Sequence, residues 1–290
     1  MRKHIVCITF DFDAMSGFIA RGLVSPTPIS RGEFGAVAVP RILKLLAEYR
    51  VPASFYIPGH TLETYPAESR MVADAGCEIG HHGWTHRPPA TLNREQEEEE
   101  LTRANEQIKK LTGGYARGYR SPSWDLSPHS VELLLKHGFF YDSSMMGHDY
   151  DCYFARNGDV AELKTPFVRG SETPLVEMPI SWSLDDYPHF EYMRMPNMVQ
   201  QGLMNASGVL ENFVDDFVYM TRVVDWGILT YTFHPHVIGR GHRMIMLEKL
   251  ILRLGELGAE FMTMERALDE WHAHRMSRDN AARASQAAAE

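Results

Sequence analysis

The sequence predicts an α/β fold, a distorted (β/α) barrel that carries one irregular insertion. Short β-branched and aromatic runs alternate with helical patterns seven or eight times, as expected for a parallel sheet. The 290 residues, 44% of them hydrophobic, can bury one large core. Ionisable residues follow nearly every predicted strand, at the edge where parallel sheets place their sites. An open doubly wound sheet is the alternative.

The predicted strands and helices follow one another in a regular order. The first four pairs are HIVCITF with PRILKLLAEY, ASFYIP with AESRMVADAG, CEIGHH with NREQEEEELTRANEQIKKLTG, and RGYRSP with SPHSVELLLKHG. After the strand FFYDSS and an irregular region come LVEMPI, VLENFVDDFVYMTRVV, GILTYTFH, MIMLEKLILRLGELG, EFMTM and ERALDEWHA. Asn93 and Gln96 have capping-box spacing at the start of their helix. The acidic run REQEEEE in that helix is expected to face solvent.

One catalytic domain is predicted over residues 1–272. Residues 145–207 lack sustained helical periodicity but hold seven of the 16 methionines and a cluster of aromatic residues. A long irregular segment with this apolar content predicts a packed lid or a contact between subunits. We therefore expect a homo-oligomer, a tetramer or a dimer. The polar, alanine-rich residues 273–290 are predicted to form a flexible tail.

Charge and cysteine content argue against several classes of partner. A net charge of −9 and a pI near 5.9 lack the basic surplus that nucleic acids attract, so no nucleic-acid partner is expected. No apolar run reaches the roughly 18 residues of a membrane span, so no membrane partner is expected. The three cysteines are odd in number and far apart, unlike a disulfide framework. The short N-terminal apolar run lacks a small-residue cleavage site, which predicts a cytoplasmic protein.

Two aspartates at the end of the first predicted strand pose a physical problem. Asp11 and Asp13 are one residue apart, so on an extended chain they project to the same side. Two like charges there need a cation between them, or one must stay protonated. A helix cap or a buried pair with an arginine is the structural alternative.

Two histidines after the third strand are candidate metal ligands. His82 and His86 have the spacing at which two imidazoles reach one metal from a helical turn or a tight loop. His81 would point away if the strand continues through it. With a carboxylate added, two nitrogens and one oxygen suit Zn²⁺ and would also accept Co²⁺, Fe²⁺, Mn²⁺ or Ni²⁺. One divalent metal ion is therefore expected as the cofactor.

The motifs TFDFD and HGWTH, together with RSPSW, resemble those of the polysaccharide deacetylases of the NodB-homology group. The resemblance covers most of the chain and implies the distorted barrel of that family. It also implies that Asp11 is the catalytic base and Asp13 a metal ligand. His82 and His86 would be the other ligands. Phe12, inserted between the aspartates, is similar to the variant of the intracellular peptidoglycan-deacetylase-like and cyclic-imidase branch.

The same resemblance implies roles for the later motifs. Arg120 would orient the base, and Trp124 would wall the site. The segments SLDDYP and LTYTFHP look like those that supply a carboxylate and the general-acid histidine, here His234. The other pocket candidates, whose individual roles stay open, are Trp182, Asp185 and Asp186. The sequence also leaves open the roles of His60, Glu177, His236 and His242.

These residues predict a metal-dependent hydrolase that cleaves a C–N bond in a small-molecule substrate, a cyclic imide or a related ureide. The alternative is N-deacetylation of peptidoglycan or of chitin-like N-acetyl sugars. A barrel that has lost catalysis and serves as a binding protein is disfavoured, because the set of site residues is complete. The lack of an export signal and a bulky insertion able to close over a pocket favour the small substrate.

Overall fold

A curled sheet of nine strands forms the centre of the computed structural model, which describes residues 2–195 and 198–287. Its strands are β1 (Lys3–Asp11), β2 (Ala53–Ile57), β3 (Glu78–His81), β4 (Gly118–Tyr119), β5 (Tyr141–Asp142), β6 (Tyr153–Asn157), β7 (Ser171–Glu177), β10 (Trp226–Phe233) and β11 (Glu260–Phe261). A separate hairpin consists of β8 (Met193–Met195) and β9 (Met198–Gln200).

Parallel pairing in the order β10-β1-β2-β3-β4-β5-β7 forms the body of the sheet. Strand β6 adds to the far edge, antiparallel to β7, and β11 pairs with the first half of β1. Within the described residues no pairing joins β6 to β10, so the barrel is open on that side. The predicted distorted (β/α) barrel is confirmed in the form of a curled half-barrel.

Helices provide most of the connections between the strands. They are α1 (Ser16–Ala20), α2 (Pro26–Tyr49), α3 (Gly59–Thr64), α4 (Pro66–Asp74), α5 (Arg94–Thr112), α6 (Ser130–Lys136), α7 (Asp186–Phe190), α8 (Ala206–Val223), α9 (Pro235–Ile238), α10 (Gly241–Glu256) and α11 (Met264–Ala287). Among the residues with assigned positions, no helix combines the length and the apolar character that crossing a bilayer requires.

Helix α2 begins well before the start that the sequence pattern indicated. The predicted helix began at Pro40, but Pro26 opens the helix and Pro40 lies exposed within it. Glycine disfavours a helix interior, yet here it permits close packing. A Cβ atom at Gly32 would lie 2.5 Å from the Cα of Met15. The absence of a side chain thus lets α2 approach the turn that follows Asp13.

The centre of the sheet is buried on both faces. Phe10 stacks on Phe55 with ring centroids 4.7 Å apart and lies 5.7 Å from Phe233. On the opposite face, the hydroxyls of Tyr56 and Tyr141 are hydrogen-bonded at 2.9 Å. Burial on both faces is usual for parallel strands. Ionisable groups at the ends of these strands therefore need partners to be stable there.

Helix α5 starts with the predicted capping box of Asn93 and Gln96. The sequence predicted that the acidic run would face solvent, but two of its glutamates are buried. The buried Glu97 carboxylate accepts hydrogen bonds from the hydroxyls of Ser127 and Ser130. Glu100 is buried as well. The acidic run alone does not predict which of its glutamates accept hydrogen bonds from side chains outside the helix.

The predicted insertion at 145–207 divides into parts with different positions. Strands β6 and β7 lie within it, and β7 pairs with β5 as a member of the sheet. Residues 158–170 form a largely exposed loop, closed by a bridge between Val160 and Val168. The later part, with α7 and the β8–β9 hairpin, contributes residues to the site described below.

The predicted tail at 273–290 is helical over most of its length. Helix α11 runs from Met264 to Ala287, and 288–290 lie outside the described residues. Alanine has the highest helix propensity, and extending an existing helix avoids the cost of nucleation. The flexibility of this segment stays a prediction.

Candidate active site

The carboxyl ends of β1, β3, β4 and β10 bring the candidate site residues together. Asp11 ends β1 and pairs in register with Tyr56, while Phe10 pairs with Phe233, the residue before His234. A cavity of about 460 Å³ opens at this edge of the sheet. Its lining includes every predicted site residue except Arg120 and Asp186, which lie buried behind it: Asp11, Asp13, His82, His86, Trp124, Trp182, Asp185 and His234.

Asp13, His82 and His86 offer three ligand atoms that all lie within 4.8 Å of one another. Asp13 Oδ1 is 3.4 Å from His82 Nε2, and Asp13 Oδ2 is 3.3 Å from His86 Nε2. Asp13 Oδ1 and His82 Nε2 are buried and have no hydrogen-bond partner. Buried polar atoms left unpaired are costly, so this donor set of two nitrogens and one oxygen fits a divalent ion.

The orientation of His82 is fixed by the backbone of the RSPSW motif. Its Nδ1 lies 2.7 Å from the Arg120 carbonyl oxygen, so Nδ1 carries the proton and donates it. The other nitrogen, Nε2, faces Asp13 and can bind an ion once it carries no proton. This is the usual arrangement in which an outer hydrogen bond sets the tautomer of a metal-binding histidine.

The loop that carries both histidines is held by helix α5. Glu100 accepts hydrogen bonds from the Trp84 backbone N–H and from the Arg87 side chain. The loop turns at His86, whose φ is +59°. A positive φ is strained for a residue with a side chain. The Glu100 contacts therefore help to keep His86 beside Asp13.

Burial and charge set the protonation of this group. Burial opposes ionisation of Asp13, but the nearby His86 and His82 outweigh it and hold the pKa of its carboxyl well below the usual range. Burial lowers the pKa of His86 to about 4. At neutral pH Asp13 is therefore a carboxylate and His86 a neutral imidazole. Burial opposes protonation of His82, but Asp11 and Asp13 outweigh it and raise its pKa, so an ion bound there would displace a proton.

Asp11 is held by Arg120 and differs from Asp13 in its contacts. Its Oδ1 accepts a hydrogen bond of 2.7 Å from the Arg120 guanidinium, and its Oδ2 lies 3.9 Å from His82 Nε2. The fully buried guanidinium also donates to Thr9 and lies 4.1 Å from the Tyr56 ring centroid. A charge-assisted hydrogen bond of this kind orients a buried carboxylate. The structure therefore pairs Asp11 with Arg120 and places it beside the ligand group, which consists of Asp13, His82 and His86.

The Nδ1 side of His234 is paired with two carboxylates. Its Nδ1 lies 2.9 Å from Asp186 Oδ1 and 3.4 Å from Asp185 Oδ1, and its backbone N–H donates to Asp186 Oδ1 at 3.0 Å. Asp185 also caps α7 by accepting from the Tyr187 N–H. Asp186 is thus the nearer partner, although both carboxylates contribute.

These contacts determine the charge of His234. Burial opposes protonation, but Asp185 and Asp186 outweigh it and raise the pKa of His234 well above its usual value. Burial also raises the pKa of Asp186. The Nε2 of His234 lies 3.9 Å from Asp13 Oδ2, so this nitrogen faces the ligand group. A protonated imidazole in this position can donate to a leaving atom held in the cavity.

Two tryptophans form one wall of the cavity. The rings of Trp124 and Trp182 are stacked with centroids 4.1 Å apart. The turn that presents Trp124 is strained, with φ of +57° at Ser123 and +51° at Trp124. Strained backbone is often concentrated at functional sites. The wall can pack against a flat, weakly polar group.

Five further residues, none of them predicted as site residues, line the cavity: Arg21, Ser123, Tyr187, Pro188 and Gln200. Tyr187 directly follows the predicted aspartate pair, and Ser123 lies inside the RSPSW motif, so position in the sequence could have indicated both. Arg21 and Gln200 belong to no motif. They reach the cavity only because α1 and the β8–β9 hairpin fold over the strand ends.

Four residues whose roles the sequence left open lie outside the cavity lining. His236 is buried and contacts the Tyr187 and Phe18 rings. His242 is exposed near the start of α10, and His60 lies at the start of α3. Glu177 is paired with Asp142 in the register of β5 and β7.

The Glu177 carboxylate supports the segment behind Arg120. Its Oε1 accepts from the Ser144 and Met145 N–H groups at 2.8 and 2.7 Å. The adjoining Ser143 carbonyl accepts from Arg120 Nε at 3.3 Å. Burial raises the pKa of Asp142 and of Glu177, and the Asp142 charge raises that of Glu177 further. This pair is structural and fixes the turn that orients Arg120.

Comparisons with known proteins show the family to which the chain is similar. A family model described as polysaccharide deacetylase matches residues 1–141. A peptidoglycan deacetylase from Helicobacter pylori is 36% identical over 285 residues, which covers 93% of this chain and 97% of that protein.

Solved structures are similar over nearly the whole fold. A crystal structure from Mycobacterium smegmatis, designated a polysaccharide deacetylase, has a TM-score of 0.80 with 29% identity and covers 94% of this chain and 92% of its own. The structure of Puue allantoinase has a TM-score of 0.75 and covers 94% and 91% of the two chains. Its 20% identity supports similarity of fold alone.

Proposed function

The chain belongs to the polysaccharide deacetylase family of metal-dependent hydrolases acting on carbon–nitrogen bonds other than peptide bonds, and on that premise we propose that it hydrolyses a small cyclic imide or a related ureide. The observation that carries the proposal is the shape of the cavity. Its volume of about 460 Å³ is in the range of small-molecule sites. The stacked tryptophans offer a flat face that suits a planar ring.

Residues 182–195 and 198–200 support a small substrate as well. Trp182, Tyr187 and Gln200 from this part of the chain line the cavity. An isolated bridge between Asp185 and Thr232 ties the segment to β10. A long polysaccharide needs an open groove that continues on both sides of the reacting unit. A cavity of about 460 Å³ suits a compact substrate better.

In the proposed reaction Asp13, His82 and His86 hold one divalent ion, which supplies Lewis-acid activation of water when bound. Asp11 accepts the proton of the water as its oxygen attacks the carbonyl carbon, because the hydrogen bond from Arg120 fixes its carboxylate there. His234 holds a proton on Nε2 and donates it to the departing nitrogen. Asp186 orients His234, and Asp185 and Asp186 together raise its pKa.

We expect the purified protein to bind one divalent ion per chain, with Zn²⁺ the first candidate and Co²⁺, Fe²⁺, Mn²⁺ or Ni²⁺ as alternatives. His82→Ala should lose the ion, because it removes a ligand whose tautomer is fixed for binding. His242→Ala, an exposed histidine, is the matched control. Elemental analysis after dialysis provides the measurement. Full activity in an ion-free preparation that never met a chelator would contradict the metal-dependent mechanism.

N-deacetylation of an amino sugar remains the second candidate, and a specific observation favours it. The Helicobacter pylori relative that aligns over almost the whole chain is a peptidoglycan deacetylase. The same base, acid and metal ligands can hydrolyse an acetamide. The two candidates therefore differ in the substrate and share the chemistry.

A substrate panel distinguishes the two. Purified protein loaded with Zn²⁺ is assayed with succinimide, dihydrouracil, allantoin and N-acetylglucosamine oligomers. We expect turnover of at least one cyclic compound and little release of acetate. Efficient deacetylation of the oligomers without hydrolysis of any cyclic compound would replace the proposed function by its alternative.

We further propose that the protein acts in the cytoplasm. Cys7, Cys77 and Cys152 are all free thiols in the structure, and burial raises the pKa of each, which makes them poorly reactive. Unpaired cysteines are typical of reducing compartments. Fractionation of the native host with antibody detection would test the location.

A homo-oligomer, a tetramer or a dimer, completes this proposal. The loop at 158–170 exposes Leu163, Phe167 and Val168, and the hairpin exposes Met198 and Val199. Apolar patches of this kind usually mark an interface. Light scattering is expected to give a mass at least twice 33.0 kDa at micromolar concentration. Replacing Leu163 and Phe167 by Ser should lower that mass, whereas a monomeric wild type would contradict the prediction.

A further inference from the structure

Resting on the proposed function, we propose that Arg21 binds a carboxylate carried by the substrate, so that the protein prefers acidic substrates over neutral ones of the same shape. Arg21 follows α1 and lines the cavity together with the ligand group and the tryptophan wall. Among the described residues it is the one cationic arginine or lysine side chain in that lining.

The Arg21 side chain is exposed, and one hydrogen bond holds its guanidinium close to the ligand group. Its Nη1 donates to the Gly17 carbonyl oxygen at 2.7 Å. A Cβ atom at Gly17 would lie 3.1 Å from this Nη1 and 3.7 Å from both Asp13 Oδ2 and His86 Nδ1. Only a glycine therefore separates the guanidinium from the ligand group. A compound seated at that group can reach Arg21 without a change of fold.

Arg21 has no carboxylate partner in the described part of the chain within 4.0 Å, although the cavity is rich in carboxylates. The other charged groups are paired: Asp11 with Arg120, and His234 with Asp185 and Asp186. Asp13 belongs to the ligand group. A guanidinium that donates to one backbone carbonyl and has no carboxylate partner can still bind an anion from outside.

The chemistry of the surroundings selects a carboxylate. The planar guanidinium fork matches a carboxylate with two parallel hydrogen bonds. A dianionic phosphate would place a second charge beside Asp13 and Asp185, which repel it. One negative charge on a small ring can pair with Arg21 while the ring packs against Trp124 and Trp182.

Matched substrates test this inference. Dihydrouracil and dihydroorotate share one ring and differ by a carboxylate. Wild type should have a lower KM for dihydroorotate, and Arg21→Gln should raise that KM about ten- to a hundredfold, the range for a lost charged hydrogen-bond pair. The KM for dihydrouracil should stay within about twofold. Arg21→Lys should restore part of the preference, and Arg222→Gln on the exposed surface of α8 is the control for lost charge.

A binding measurement separates this inference from the proposed function. Calorimetry with succinamate and its neutral partner succinamide is run on Zn²⁺-loaded wild type and Arg21→Gln. Selective loss of succinamate binding supports the role of Arg21 even if neither ring is hydrolysed. N-acetylmuramate, which differs from N-acetylglucosamine by a lactyl ether that carries a carboxylate, then provides the kinetic pair with it. Equal loss on acidic and neutral members of every pair, or no preference in wild type, overturns the inference.

Discussion

Asp11→Asn is expected to lower kcat by about two to four orders of magnitude while one divalent ion stays bound, the range for loss of a general base. The amide keeps the size of the carboxylate and can still accept the hydrogen bond from Arg120. It has no charge with which to take a proton from water. Asp11 also lies outside the group of three ligand atoms, which are those of Asp13, His82 and His86. Steady-state kinetics and elemental analysis of the same preparation provide the measurement.

Asp13→Asn is the informative partner of this variant. It removes the charge from the residue whose two oxygens lie nearest to the imidazoles, at 3.4 and 3.3 Å, and should lose both the ion and the activity. Asp225→Asn, at the surface, controls for the change of charge. If Asp11→Asn instead loses the ion in proportion to its activity, Asp11 is a ligand and the two aspartates have the opposite roles.

The central part of the site could be predicted because short stretches of sequence encode it. Asp11 and Asp13 share one strand end, and His82 and His86 share one loop, so their spacing indicates their joint position. The barrel that aligns these segments is encoded by the alternation of strand and helix patterns. Both signals depend on residues near each other in the chain.

Other parts of the site depend on contacts between distant segments. The choice between Asp185 and Asp186 as partner of His234 depends on a bridge from Asp185 to Thr232 on β10. Arg21 becomes a pocket residue only because α1 packs beside the strand ends. Glu100 stabilises the histidine loop although its own sequence, REQEEEE, is typical of a solvated helix face. No local pattern distinguishes these residues from ordinary surface charges.

The role of His234 is expected to depend on the leaving group. An imide nitrogen departs more readily than an amide nitrogen, because its developing negative charge is shared with a second carbonyl. His234→Ala should therefore retain kcat within about tenfold of wild type on a cyclic imide, whereas Asp11→Asn is nearly inactive on it. On an N-acetyl substrate both groups are needed, and His234→Ala should lose about two to four orders of magnitude.

The pH profile provides a reading that a merely structural role would not change. Asp185 and Asp186 raise the pKa of His234 despite its burial, so the imidazole is protonated and active below that pKa and loses its proton as the pH rises through it. Wild type should thus show an alkaline limb on amide substrates, and His234→Ala should lack it. The exposed variant His242→Ala should keep the wild-type profile. If His234→Ala on a cyclic imide is as inactive as Asp11→Asn, protonation of the leaving nitrogen limits that reaction too, and the proposed difference between imide and amide hydrolysis is wrong.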